Sequence, residues 1–392
     1  MGFRIAAQAF FSDAPIMTKA PQHTRTDSGE APYPQLKIHR SALAHNLQRF
    51  RDMAPRARIL LPVKANAYGC GLATLFPFFR DAGVDMLGVA NCQEAVELRS
   101  LGWQRPVLNL GGFFPQNIAT IIEHDISVSL TDLWQIAALD AAAGDAEVQV
   151  HIKLDLGMGR IGIRRGDVAE MLNALQNARR LRVAGIFTHF PHAGSDVGAE
   201  TLRQNDEFLQ VAANIMHNLS LSRENVLLHA ANSYSAAFFS ATHHDMIRPG
   251  ILFYGYYQSE ADREAYHTRL NLRPCLELVA TPISYRRLNR GEGISYSSLY
   301  HVAAEYEDVA VLPLGYADGI PRALSNRIQF GKFPLRGRVT MDQIVVGADS
   351  SEKEIRLLGE GVPSLEYWGE LAQSFSYEIM SHLGNRLRRV LV

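Results

Sequence analysis

From about residue 58 onward, short apolar runs rich in Val, Ile and Leu alternate with longer segments whose apolar positions recur at helical spacing. The runs at 58–63, 85–90, 107–110, 126–130, 148–154, 183–188, 226–229 and 245–248 have strand length and strand composition. Two of the intervening segments carry start signals. Thr131 and Asp132 precede an apolar run that reaches Ala143 and is closed by Gly144. Asn91 stands three residues before Glu94, the reciprocal capping-box spacing. Eight β-runs in strand-helix alternation over about 190 residues predict an α/β fold, an N-terminal (β/α)8 TIM-type barrel. An open doubly wound sheet is the alternative, but no Gly-x-Gly-x-x-Gly follows an early strand.

After about residue 276 the helical period fades and period-two segments take over at 276–283, 308–313, 328–330 and 337–346. This predicts a second, mostly β C-terminal domain over 276–392, with the barrel domain spanning 35–275. Residues 1–34 are rich in Ala, Thr, Ser and Pro, and their apolar stretch, 5–11, is short and carries Gln8. A secretory signal needs a longer apolar core. The segment therefore reads as a disordered extension, with Met17 an alternative start and a cytoplasmic product the expectation.

Composition narrows the class of partner. At 392 residues and 47% hydrophobic content, the chain can bury a large core in two domains. A formal net charge of -1 offers no field that would gather nucleic acid or anionic lipid, which points to a small-molecule partner. Cys70, Cys92 and Cys275 form no Cys-x-x-Cys pair and read as free thiols. His189 and His192, or His243 and His244, could suggest a metal, but no thiol or carboxylate cluster completes either set, so none is expected.

Barrels place their chemistry at the C-terminal strand ends, with phosphate often held after strands seven and eight. Lys64 sits at the end of the first run, followed by Ala-Asn-Ala-Tyr68-Gly69; there it is either a solvated turn residue or a nucleophile poised for a carbonyl. After run seven comes His229-Ala-Ala-Asn232-Ser233, and after run eight Arg248-Pro-Gly250-Ile251. Ser233 offers a hydroxyl and Gly250 allows close backbone approach to an anion. Arg248 could instead pair with Asp245. Run five leads into His151-Ile-Lys153-Leu-Asp155-Leu-Gly157-Met-Gly159-Arg160, where glycines let the backbone pass close to a ligand.

With Phe187-Thr-His189-Phe, Gly293-Ile-Ser-Tyr296-Ser297, Gly315-Tyr316-Ala-Asp318-Gly319, Val339-Thr-Met341-Asp342 and Tyr377, these motifs together resemble the alanine racemases, fold-type III pyridoxal phosphate (PLP) enzymes. The likeness runs from about residue 35 to 377. It implies PLP held on Lys64, with its phosphate bound by Tyr68, Asn232, Ser233, Gly250, Ile251 and Tyr377. Arg248 would face the pyridine nitrogen and, since an arginine gives up no proton, would weaken the ring as an electron sink and disfavour transamination. Arg160 would meet the cofactor's phenolic oxygen and the substrate carboxylate, oriented by Lys153, which is carbamylated in some relatives.

The resemblance also implies a two-base reaction: Lys64 on one face of the substrate Cα, Tyr296 on the other, the latter bonded to His189, which links on to Arg248. Met341 would receive the substrate carboxylate at its backbone N-H, Asp342 would support it, and Tyr316 would stand near the entrance. Relatives commonly carry glycine where this chain has Ser297. The first strand, near 35–38, would pair with the β domain, and two chains would form a head-to-tail homodimer with shared sites. Racemisation of serine or of a wider amino-acid range is the nearest alternative. A fold-type III decarboxylase would need a late cysteine motif that is absent, and a small PLP-binding protein would have the barrel alone.

Overall fold

The computed structural model describes residues 33–191 and 198–392. The expected N-terminal extension therefore falls almost wholly outside the described residues, and so does His192. The first strand, β1 (Gln35–Ile38), leads into the helix Arg40–Met53. There follow β2 (Arg58–Pro62), β3 (Met86–Val89), β4 (Val107–Asn109), β5 (Ser127–Leu130), β6 (Val148–Asp155), the two-residue β7 (Ile163–Arg164), β8 (Leu181–Phe187), β9 (Leu227–His229) and β10 (Met246–Ile247). Their order, β10-β2-β3-β4-β5-β6-β8-β9, is parallel throughout, with β7 attached to the end of β6. Backbone hydrogen bonds from Asp245 N to Leu228 O and from Arg248 N to Ala231 O, each 3.0 Å, draw the last two strands together and nearly close the barrel.

A gradient runs up the barrel interior. Leu60, Met86, Leu108 and Met246 form their own buried apolar cluster. Beyond them stand His151, Lys153, His229 and Arg248, all buried. His151 and Lys153 are two apart on β6 and so project to one face. Burying four polar groups costs free energy unless each finds a partner, so this end of the barrel is where chemistry is to be sought.

The C-terminal part is built from β11 (Leu276–Ala280), β12 (Ser284–Asn289), β13 (Gly293–Ile294), β14 (Tyr300–His301), β15 (Tyr306–Leu312), β16 (Gln329–Phe330), β17 (Phe333–Arg336), β18 (Ile344–Gly347), β19 (Ile355–Leu358) and β20 (Arg388–Leu391). One sheet has the order β12-β15-β18-β17-β16. A second, β19-β11-β1-β20, takes in β1, antiparallel to β11 and parallel to β20. The run expected as one strand over 337–346 is interrupted. Residues 337–343 form a loop between β17 and β18, because Gly337 takes a left-handed φ of 73° and the Thr340 side chain closes a turn on Gln343. That loop carries Met341. Among the described residues no helix is long and apolar enough to cross a membrane, and the three cysteines are free and buried.

Candidate active site

A cavity of about 580 Å³ opens at the C-terminal ends of the barrel strands, bounded among others by Lys64, Tyr68, Lys153, Arg160, His189, Asn232, Ser233, Arg248, Gly250 and Tyr377. Ile251 is fully buried in the turn behind Gly250 and does not border the cavity. Tyr296, Met341, Tyr316 and Asp342 do not border it either.

The lysine turn is more strained than its small residues suggest. Ala65, Asn66, Ala67 and Tyr68 all have φ between 53° and 55°, a full left-handed turn of non-glycine residues. Left-handed helical geometry costs about 1–2 kcal/mol per residue, so outside contacts must hold it. Asn66 Oδ1 accepts from Leu72 N at 2.7 Å, and Arg389 of β20 donates from Nε to Gly69 O at 2.8 Å. Glu94 Oε1 accepts from Ala65 N at 2.7 Å. The turn delivers Tyr68, packed on Tyr254 with ring centroids 5.0 Å apart, to the cavity wall beside Lys64.

Gly250 N donates to Ser233 Oγ at 2.6 Å. A Cβ at residue 250 would lie 2.8 Å from Tyr68 Oη and 3.4 Å from Ser233 Oγ. The bare Cα thus keeps a hollow lined by two hydroxyls and a backbone N-H, with Tyr377 close by on the helix Ser376–Ser381. Asn232 caps the neighbouring helix Ser233–Phe238 through Tyr234 N and Ser235 N, both 3.1 Å. Burial pushes the Tyr68 and Tyr377 phenols up, so both stay protonated donors at neutral pH.

Arg248 is buried and donates from Nη2 to Thr188 O at 2.8 Å and Ala230 O at 3.0 Å. Its Nη1 meets His229 Nδ1 at 2.9 Å, and His229 Nε2 meets His151 Nδ1 at 2.9 Å. A guanidinium only donates, so His229 accepts at Nδ1, carries its proton on Nε2 and passes that bond to His151. His151 is left with a proton on Nε2, a buried atom without a partner among the described residues. Burial, then the Arg248 charge, pushes His151 down to about 3 and holds His229 well below the usual histidine range. Gly185 makes room for this pair, since a Cβ there would sit 2.2 Å from His151 Nδ1. The resemblance placed His189 beside Arg248, whose charge does act on His189; the imidazole hydrogen-bonded to the guanidinium is that of His229. Asp245 is taken by Arg223 and by Leu228 N, so the alternative pairing with Arg248 does not form.

The Asp155 carboxylate accepts from Gly157 N (3.2 Å), Gly159 N (2.9 Å) and Arg160 N (2.8 Å), and so ties down the loop that presents Arg160. Lys153 lies over the Phe187 ring, its Nζ 5.8 Å from the centroid. Burial, then Arg160 and Arg248, pushes its amine down to about 8. Burial and Arg160 also lower Lys64, against a raising pull from Glu94. Burial and the surrounding cations hold His189 well below its usual range. Four basic side chains face one cavity, an arrangement suited to a ligand with more than one anionic group.

The remaining site residues gather on the β domain's outer edge. Tyr296 is 72% exposed, Met341 52% and Tyr316 44%. Arg338 Nε donates to Tyr296 O at 3.1 Å. Arg386, which the sequence alone does not single out, donates from Nε and Nη2 to the two Asp318 carboxylate oxygens at 2.8 Å each, from Nη1 to Asp342 Oδ1 at 2.7 Å and from Nη2 to Met341 O at 3.4 Å. It thereby fixes the Tyr316 turn and the Met341 loop to each other. Ser297 adopts φ 59°, the left-handed region where glycine is favoured, which gives the departure from relatives a local cost. Asp155, His151 and His229 were visible in their motifs, but nothing in sequence says which backbone or ring they meet.

Residues 38–258 match the family description "Alanine racemase, N-terminal domain" and residues 275–391 match "Alanine racemase, C-terminal domain". An alanine racemase of Desulforamulus reducens is 34% identical over 370 residues, covering 91% of this chain and 98% of that protein. One of Staphylococcus carnosus is 31% identical over 91% of this chain and 94% of its own length. Among solved structures, the alanine racemase from D-cycloserine producing Streptomyces lavendulae superposes with a TM-score of 0.83 at 31% identity, over 93% of this chain and 98% of that one. The Bacillus anthracis alanine racemase with bound L-Ala-P gives 0.83 at 28% identity, over 91% and 94%.

Proposed function

The chain belongs to the alanine racemase family, whose members are isomerases, and from that premise we propose that it interconverts L- and D-alanine with PLP held on Lys64. The observation that carries this reading is the cavity itself: a lysine on a strained turn, a hollow at Gly250 lined by hydroxyls, and Arg248 bonded to neutral acceptors. The donor set fits PLP. Ser233, Tyr68, Tyr377 and the turn at Gly250 and Ile251 would hold the phosphate, Asn232 would keep the adjoining helix end in place, and Arg248 would meet the ring nitrogen as a permanent donor. When bound, PLP withdraws electrons from an attached amino acid and makes its Cα-H acidic.

The chain's own groups then move the proton. Racemisation requires a base on each face, since one base returning the proton where it was taken leaves the configuration unchanged. Lys64 Nζ serves one face, its proton affinity lowered by the cavity and Arg160. Tyr296 Oη would serve the other, with His189 in place to bond it; Arg160 and the Met341 backbone would hold the substrate carboxylate, supported by Asp342. Lys153, pushed down to about 8, is more readily neutral than a surface lysine, the form that reacts with CO2. A carbamate there would give Arg160 an anionic partner.

Tyr296, Met341 and Tyr316 do not border their own chain's cavity, which supports a reading in which the second face would be served by Tyr296 of the partner subunit. A head-to-tail homodimer would make two such shared sites, with Tyr316 of the partner subunit near each entrance. In this reading the enzyme is cytoplasmic and supplies D-alanine for cell-wall peptidoglycan. Purified protein with PLP should convert L-alanine to D-alanine faster than L-serine or any other L-amino acid in a panel, and borohydride should fix the cofactor to the Lys64 peptide. Preference for another amino acid would overturn the substrate assignment, and label on another lysine would overturn the role of Lys64.

A further inference from the structure

Glu94 stands in a capping-box position, three residues after Asn91, and half of that box forms: Glu94 N donates to Asn91 Oδ1 at 3.0 Å. The reciprocal bond, from the glutamate side chain to the cap residue's own N-H, is replaced by two others. Glu94 Oε1 accepts from Ala65 N at 2.7 Å and Oε2 accepts from Ala90 N at 2.8 Å. Ala65 directly follows Lys64 and opens the left-handed run, while Ala90 directly follows β3; both border the cavity. Within the run, Ala67 N bonds Val63 O at 2.8 Å and Gly69 N bonds Ala65 O at 2.9 Å. The Ala65 N-H points out of the run and meets a carboxylate. That acceptor makes a charge-assisted bond, shorter and stronger than one between neutral groups.

We propose that Glu94 is a positioning residue for the reaction: its two carboxylate oxygens tie the left-handed lysine turn to the end of β3 and so fix where Lys64 enters the cavity. The inference rests on the reading of Lys64 as the cofactor lysine. It has an electrostatic side as well. The groups acting on Lys64 from the surrounding elements are Arg160, Lys153 and His189 on the far walls and Glu94 on the helix Cys92–Ser100. Burial and, after it, Arg160 lower the lysine's proton affinity, and Glu94 opposes them. Glu94 thus both aims the amine and keeps it able to hold a proton between transfers.

Two variants separate span from charge. Glu94→Gln keeps the length but loses the charge and turns an N-H₂ toward one backbone donor; Glu94→Asp keeps the charge but loses the reach. Full-length chain would be titrated with PLP by absorbance, and the pH profile of kcat/KM for D-alanine would be recorded, with Glu97→Gln on the same helix as control. Both Glu94 variants should bind PLP about tenfold more weakly, equivalent to about 1.4 kcal/mol, while Glu97→Gln matches wild type. The limb of the profile governed by Lys64 should move to lower pH in Glu94→Gln and stay in place in Glu94→Asp. If Glu94→Gln does not fold, the Glu94→Asp titration decides. PLP affinity within twofold of wild type in every folded Glu94 variant, or an unmoved limb in Glu94→Gln, would overturn the proposal. Lys64→Ala separates the two layers: loss of PLP fixation there beside neutral Glu94 variants sinks only this inference, and retained racemisation sinks the assignment of Lys64 beneath it.

Discussion

The barrel mouth and the outer edge of the β domain, which in the proposed reaction would supply one base each, present their residues under opposite conditions. At the barrel mouth Arg248, His229 and His151 are buried, each ring nitrogen between them assigned by a guanidinium that can only donate. At the β-domain edge Tyr296, Tyr316 and Met341 face solvent, and their order comes from backbone anchoring by Arg338 and Arg386. The first half is finished within one chain. The second has its loops fixed but its side chains exposed, as expected of a surface completed by another molecule. The contrast also separates two kinds of contribution from the β domain: Tyr377 and Arg389 reach their own chain's lysine turn and cavity, whereas Tyr296 does not.

Changing Tyr296→Phe tests the exposed half without touching the buried one. Loss of a general acid-base group costs typically about 10² to 10⁴ in rate, so racemisation should fall by that order while PLP affinity stays at the wild-type value. Measured together, a fall in PLP affinity would place Tyr296 in the wrong half. Gly250→Ala probes the buried side. The added methyl would lie 2.8 Å from Tyr68 Oη, and since Tyr68 is packed on Tyr254 the hollow itself must give. PLP should bind about tenfold more weakly, about 1.4 kcal/mol, and unchanged affinity would mean the phosphate lies elsewhere.

Acid should loosen the buried half first. His151, His189 and His229 are all held below the ordinary value of 6.5, His151 at about 3. Below pH 6.5 the unfolded chain takes up protons that the folded chain refuses, so stability is lost as pH falls from 6.5 toward 3; above 6.5 these groups contribute no pH dependence. The slope is at most about 1.4 kcal/mol per pH unit for each imidazole. Thermal midpoints across that range should therefore fall, and His151→Gln, which cannot titrate, should flatten the curve. An equally steep curve in that variant would contradict the account. The smallest effect is expected at Ser297→Gly, which relieves a left-handed φ of 59° and should raise stability by about 1 kcal/mol or less with PLP affinity unaltered.

Much of the barrel was legible because its strands are buried on both faces and carry many Val, Ile and Leu residues, so the runs from 58–63 to 245–248 stand out against their neighbours. Strands such as β12, Ser-Tyr-Arg-Arg-Leu-Asn, and β20, Arg-Arg-Val-Leu, did not, because their exposed positions carry arginines that pair or stack: Arg287 bonds Asp308 at 2.8 Å. The motif residues around the cavity could be named from the family resemblance that their motifs carry, and the structure brings the barrel-borne ones together. What spacing could not carry was direction. Glu94 looks like a helix cap until its carboxylate is seen on Ala65 and Ala90, and His229 looks like a strand end until it is seen on Arg248. Nor does a string such as Gly293-Ile-Ser-Tyr296 reveal that its tyrosine is exposed and does not border its own chain's cavity.

The most direct test of that last point mixes two inactive proteins. In the proposed two-base reaction Lys64→Ala would lack one base and Tyr296→Ala the other; after subunit exchange, random pairing would make about half the dimers hybrids, each with one intact and one doubly damaged site. If the two halves come from different chains, racemase activity should rise from near zero to about a quarter of wild type. No recovery after exchange has been verified would mean that Lys64 and Tyr296 work within a single chain.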